Sequence, residues 1–296
     1  MTKVREIKRR IKSVKTTKQI TKAMELVAAV KMKKAQDKAV QAKEYAARAW
    51  DILNEATARI ENREHFLLRP RDNKKSLILV ISTDRGLCGG LNGNLFRSIE
   101  KFIEEKKDLD FEFIIVGKRG QDYFRRRGKK IIAGFSGMDN LPHIVEIRPM
   151  SKIIFDGFKR EDYGQALVAF NRFVSTTSQY PIIKPLLPIT KNEFVYSKKY
   201  EEEKEEGGDV KRFVFEPSPE EVLDILIPRL VEIQVYQAVL ESNASEHSAR
   251  MIAMHGATKN SQELLDNLLF SYNRSRQEGI TREISEISSG AEALKG

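Results

Sequence analysis

The chain has 296 residues, 41% hydrophobic and 32% charged, enough to bury the core of one large domain or two ordinary ones. Its net charge of +10 lies in residues 1–38, which hold 13 Lys/Arg against 3 Asp/Glu, while the remainder balances at 39 against 39. A lone cysteine, Cys88, excludes an intramolecular disulfide and a cysteine-based zinc site, and no apolar run approaches the roughly 18 residues that a membrane span needs. Cys88 alone fits a reducing compartment. The N-terminus lacks the apolar segment of a secretory signal, and its amphipathic, acid-poor pattern continues past any plausible transit-peptide cleavage point.

No glycine or proline precedes Pro70. Steps of three and four from Val4 give Ile7, Ile11, Val14, Lys18, Thr21, Glu25, Ala28, Met32, Ala35, Ala39, Ala42, Ala46, Ala49, Leu53, Ala56 and Ile60. Fourteen of these seventeen positions are apolar, which predicts a coiled-coil helix over 1–69 with a slim, alanine-rich seam. Residues 70–216 read differently. KSLILVIST, FEFIIVG, KKIIAGF and PIIKPLLPI predict strands, with helices in LFRSIEKFIEEKK, in QDYFRRR and near 156–178. Strands alternating with helices predict a Rossmann-like α/β domain around a parallel sheet. The acidic run at 198–209 reads as a solvated loop and KRFVFEPS as a last, edge strand.

Ser218 with Glu221 reads as a capping box opening a second long helix over 217–296. Its seam runs from Leu226 through Leu230, Ile233, Gln237, Leu240, Ala244, His247, Met251, Met254 and Thr258 to Tyr272. Pro228 predicts a start or kink there, and Gly279 weakens the pattern beyond it. The fold class is therefore α/β, with a long antiparallel two-helix coiled coil made by the terminal segments and a central Rossmann-like domain.

Candidate chemistry is sparse. DRGLCGGLNGN after the first strand suggests a phosphate cradle, but Gly86, Gly89, Gly90 and Gly93 match neither dinucleotide nor P-loop spacing, and a strand-to-helix turn explains them. The histidines, His65, His143, His247 and His255, have no ligand-spaced partner, and His247 and His255 read as packing residues. No catalytic, cofactor or metal constellation emerges. The basic first helix fits nucleic acid, a membrane surface, a solvated face or an acidic protein partner. Aromatics do not interleave its charges, and its apolar face lacks Trp/Phe/Leu anchors. The three polar seam positions, Lys18, Thr21 and Glu25, are consecutive, with Ile20, Met24 and Val27 beside them. The stripe is diverted there, by function or by a stutter.

IKRRIKSVKTTKQITKAMELVAAVKM, STDRGLCGGLN, ARMIAMHGATKN and YNRSRQEGITREISEISSGAEAL resemble the gamma-subunit family of F-type ATP synthases, in chain order and spacing. The resemblance implies a non-catalytic central rotor shaft without cofactors. Its coiled coil would lie inside an alpha–beta hexamer, with an epsilon-type subunit and the proton-driven membrane ring at the globular end. Lys22 and Met24 would face an acidic loop of a beta subunit. Arg250, Arg276, Gln277, Thr281, Glu283 and Glu286 would serve shaft–hexamer contact and coupling. A start so close to the first motif favours a bacterial protein on the cytoplasmic face of the inner membrane, peripheral and with no nucleic-acid partner. The bottom-up alternatives are a nucleotide-binding α/β enzyme with a coiled-coil arm and a basic coiled-coil nucleic-acid binder.

Overall fold

A computed structural model describes residues 2–59, 71, 73–189, 216 and 218–293. The acidic run at 198–209 and most of the strand expected in KRFVFEPS lie outside them. In chain order the elements are α1 (Thr2–Arg59), β1 (Lys75–Ile81), α2 (Leu91–Glu105), β2 (Asp110–Val116) and α3 (Lys118–Arg126). They continue with β3 (Lys130–Phe135), α4 (Ile144–Lys159), β4 (Gln165–Phe173), β5 (Gln179–Leu187) and α5 (Pro219–Ala293). Two compact units result, Met1–Ala29 with Arg250–Gly296, and Val30–Ala249.

The larger unit is built on a sheet ordered β3-β2-β1-β4-β5. β1 pairs in parallel with both β2 and β4, and β2 with β3. The sheet is not wholly parallel as expected: β5 joins β4 antiparallel. The short turn from Val174 to Ser178 between them suffices, whereas a parallel return would need a crossover of a dozen or more residues. Side chains alternate across the sheet. Ile78, Val80, Phe113, Ile115, Leu167 and Ala169 pack under Leu95, Phe96 and Ile99 of α2 and Phe124 of α3. Leu79, Ile81, Ile114, Val168 and Phe170 face the other way, onto Ile147, Ile154 and Phe158 of α4. The same core takes in Ala46, Ala49 and Leu53 of α1 and Leu223, Leu230, Val235 and Val239 of α5.

The helix expected near 156–178 is corrected. α4 ends at Lys159, and Gln165–Phe173 is a strand. Ala166 to Phe170 are buried on both faces, so no period of two marks them, and alanine and leucine are good helix formers. Backbone pairing with β1 and β5 overrides that propensity.

α5 is continuous from Pro219, so Pro228 neither starts nor ends it, and it runs beyond Gly279 to Ala293. Ser218 Oγ accepts from the Glu221 N–H at 3.2 Å, the expected cap. Along α1, every described seam position from Val4 to Leu53 is buried or half-buried. Ile20 and Val27, beside the polar break, are more than half exposed. The stripe therefore keeps its register through Lys18, Thr21 and Glu25, and neither a shift nor a stutter occurs.

Candidate functional site

The glycine-rich loop follows β1, where an α/β sheet usually opens a crevice for a phosphate-bearing ligand. Its Thr83, Asp84 and Asn92 side chains are spent on backbone and side-chain groups of the chain itself. Asp84 Oδ1 accepts from Lys118 N–H at 3.0 Å and Oδ2 from Gly137 N–H at 2.7 Å, tying three strand-to-helix connections together. Thr83 Oγ1 donates to Arg85 O and accepts from Asn92 Nδ2, which also points at Cys88 Sγ. Gly117, at φ 93°, lies so close to β1 that an added Cβ would stand 2.4 Å from Ser82 O. Cys88 is buried and free of disulfide.

The order reverses between β1 and β4, the switch point where a ligand would enter. α5 fills it. Ser242 Oγ donates to Ile81 O at the end of β1, and Ser245 Oγ donates to Asn171 O near the end of β4 at 2.9 Å. Asn243 Nδ2 donates to Met138 O at 2.7 Å, Ser248 Oγ to Thr176 O at 2.6 Å, and His247 Nε2 lies 3.2 Å from Asp139 O. A helix stretch buried on nearly all sides would normally be apolar. This one is polar because it caps strand-end carbonyls that would otherwise lack partners. The nucleotide-enzyme reading thus finds its expected crevice occupied by the chain itself.

The smaller unit contains all eight candidate contact residues. There the polar seam positions of α1 meet polar partners on α5. Lys18 Nζ donates to Gln262 Oε1, Thr258 Oγ1 lies 2.8 Å from Thr21 Oγ1, and His255 Nδ1 lies 3.3 Å from Glu25 Oε1. Steps of three and four forward along α1 are matched by steps of four and three backward along α5, which is antiparallel pairing. Ala28 and Met254 are buried, and beside them sits a layer of hydrogen bonds. Such a layer sets register at some cost in stability.

Lys22 is exposed and holds Glu25 Oε1 at 2.9 Å on its own helix. The Lys22 hydrogen bond keeps the Glu25 carboxyl below its usual range, outweighing the upward push of partial burial, with His255 adding to the lowering. The second oxygen, Oε2, is buried with no hydrogen-bond partner among the described residues. Met24 is half-buried next to this cluster, and Arg250 is buried. Arg276, Gln277, Thr281, Glu283 and Glu286 are exposed along α5. The structure brings Lys22 into one cluster with Glu25 and His255 and, among the described residues, shows no hydrogen bond or ion pair joining it to those from Arg276 onward.

Sequence reasoning missed His255, Thr258 and Gln262 as partners, and read His255 as packing although its side chain is 70% exposed. The signal was present: once the helices are antiparallel, the polar break in one seam requires a polar answer in the other.

The family model described as ATP synthase matches residues 3–294. The ATP synthase gamma chain of Roseiflexus castenholzii is 42% identical over 298 residues, covering 99% of each chain. That of Heliobacterium modesticaldum is 40% identical over 291 residues, covering 98% of this chain and 99% of the relative. Among solved structures, a chain of the Euglena gracilis mitochondrial ATP synthase in its third rotational state shares the fold. Its TM-score is 0.66 at 19% identity, covering 99% of this chain and 94% of that one. Residue pattern, three-layer fold and full-length identity agree, and the chain belongs to the ATP synthase gamma chain family.

Proposed function

We propose that the chain is the central rotor shaft of an F-type proton-translocating ATP synthase, coupling rotation to ATP synthesis or hydrolysis on catalytic subunits that it does not itself contain. In this reading residues 1–69 and 217–296 form the shaft and 70–216 the globular part. The shaft would run inside an alpha–beta hexamer, and the globular part would meet an epsilon-type subunit and the membrane ring. No helix among the described residues is long and apolar enough to cross a membrane. The chain would sit peripherally on the cytoplasmic face of a bacterial membrane, in keeping with its bacterial relatives.

The observation that carries the reading is the surface of the smaller unit. Ile20, Leu26 and Val27 on α1 and Phe270, Ile284 and Ile287 on α5 are large apolar side chains exposed between charged ones. Side chains of that size left in water mark a surface meant for a partner. Lys22, Met24, Arg250, Arg276, Gln277, Thr281, Glu283 and Glu286 belong to the same unit, and we assign them to contact and coupling. A slender helical pair surrounded by subunits can carry torque only through many weak contacts, since exposed ion pairs contribute about 0.2–1 kcal/mol each.

The experiment is reconstitution with alpha and beta subunits. The expected product is a complex with one copy of this chain whose ATPase activity exceeds that of the same subunits alone. A chain that fails to join them, or hydrolyses ATP unaided, would sink the reading.

A further inference from the structure

The larger unit carries a cationic cleft that contains none of the eight residues assigned to contact and coupling. It has a volume of about 610 Å³ between α1, α4 and α5, with Lys38, His143, Arg148 and Arg229 on its walls and Ile144, Ile233 and Tyr236 lining the apolar side. The two guanidinium groups do not repel each other outward, because a buried carboxylate clamps them. Arg148 Nε donates to Glu232 Oε1 and Arg229 Nη1 to Glu232 Oε2, both at 2.9 Å, and Glu232 is only 5% exposed. Both carboxylate oxygens are thus engaged by arginine. Each arginine spends one of its five N–H donors on Glu232, and both side chains remain about half exposed. Lys38 forms no ion pair among the described residues.

A second cleft, also of about 610 Å³, shares Arg148 and Glu232 and adds Ser151 and Lys152. Ser151 is 6% exposed, and its Oγ has no hydrogen-bond partner among the described residues. That oxygen is itself shielded from solvent, so Ser151 belongs to the wall of the cleft and not to the ligand's contacts. Lys38, Arg148, Lys152 and Arg229 line the two clefts, where Glu232 is the carboxylate on the walls. That is far more cationic donor capacity than Glu232 consumes.

We propose that the cleft at Arg148 and Arg229 binds the phosphate groups of a small soluble phosphate compound, with these two arginines as the paired forks. Planar guanidinium forks held at fixed separation fit the oxygens of a phosphate or diphosphate. Lys38 and Lys152 supply further charge from the two clefts. The apolar wall at Ile144, Ile233 and Tyr236 leaves room for an organic body.

Calorimetry on the full-length chain with inorganic pyrophosphate and, separately, with ADP tests this. The expected result is saturable one-to-one binding of at least one probe, weakened by salt. Affinity should fall at least tenfold in Lys38→Glu, which breaks no ion pair, and in Arg148→Gln. Circular dichroism of the variants checks that the fold survives, and Lys38→Glu keeps the test decisive if Arg148→Gln unfolds. No saturable binding of either probe at millimolar concentration, or binding unchanged in Lys38→Glu, would overturn the proposal. So would binding of the chain to phosphatidylglycerol vesicles with none to either soluble probe. None of these readouts involves rotation or assembly, so the rotor reading stands or falls separately.

Discussion

At the scale of single residues, Glu25 shows how one carboxylate serves two helices. It accepts from Lys22 on its own helix and faces His255 on the other, and its second oxygen is buried. Its carboxyl is held below the ordinary value of 4.5. The native state therefore prefers the charged form, and the stabilisation is full above that value and lost as pH falls through the lower native pKa. We expect Glu25→Gln to lower stability at pH 7 by at most about 1 kcal/mol, with the difference from wild type shrinking as pH falls toward 3. Urea unfolding midpoints of both chains at pH 7 and pH 3 check it. A difference that grows in acid would mean the group is destabilised by its charge. The sequence exposes Glu25 as a polar intruder in an apolar seam. It does not expose the answering His255, because pairing across two helices is set by register, and register requires knowing where both helices meet.

Among the elements, the glycine turn after β1 and the turn after β2 look alike in sequence but answer to different constraints. Gly89 adopts φ 59° with open space around it, whereas Gly117 combines φ 93° with backbone contact against Ser82. Gly89→Ala should cost about 1 kcal/mol, the ordinary penalty of a left-handed residue. Gly117→Ala adds a collision to that strain, and the expected cost is about 3 kcal/mol or more. Denaturant midpoints rank the two, and equal losses would contradict the close approach. Legibility at this scale followed periodicity. Both long helices and β1 to β3 could be read because their apolar patterns are long or bounded by turns. β4 could not, since Ala166-Leu167-Val168-Ala169-Phe170 is buried on both faces and offers neither a period of two nor of 3.6. The polar run from Ser242 to Ser248 was equally opaque. Its partners are carbonyls of Ile81, Met138, Asn171 and Thr176, far away in sequence.

For the whole molecule, the charge excess that marks residues 1–38 takes on a mechanical meaning. Positive charge covers α1 while its seam remains slim and alanine-rich, so the helix can pair closely and still present cations outward. The larger unit anchors both helices by burying Ala46, Ala49 and Leu53 of α1 and Leu230, Val235 and Val239 of α5 in one core. In the proposed reading the smaller unit is the part that carries the coupling contacts. Its family could be read from motifs along the chain, whereas its coupling residues rest on resemblance, because the surfaces they would touch belong to other chains. The most direct test of coupling by this surface is Met24→Lys in the assembled enzyme in sealed membrane vesicles, measuring ATP hydrolysis and ATP-driven proton pumping together. A cation in place of the half-buried Met24 should leave assembly and hydrolysis within a few-fold of wild type while cutting protons pumped per ATP severalfold. An unchanged ratio of pumping to hydrolysis would contradict the assignment of Met24 to the coupling surface.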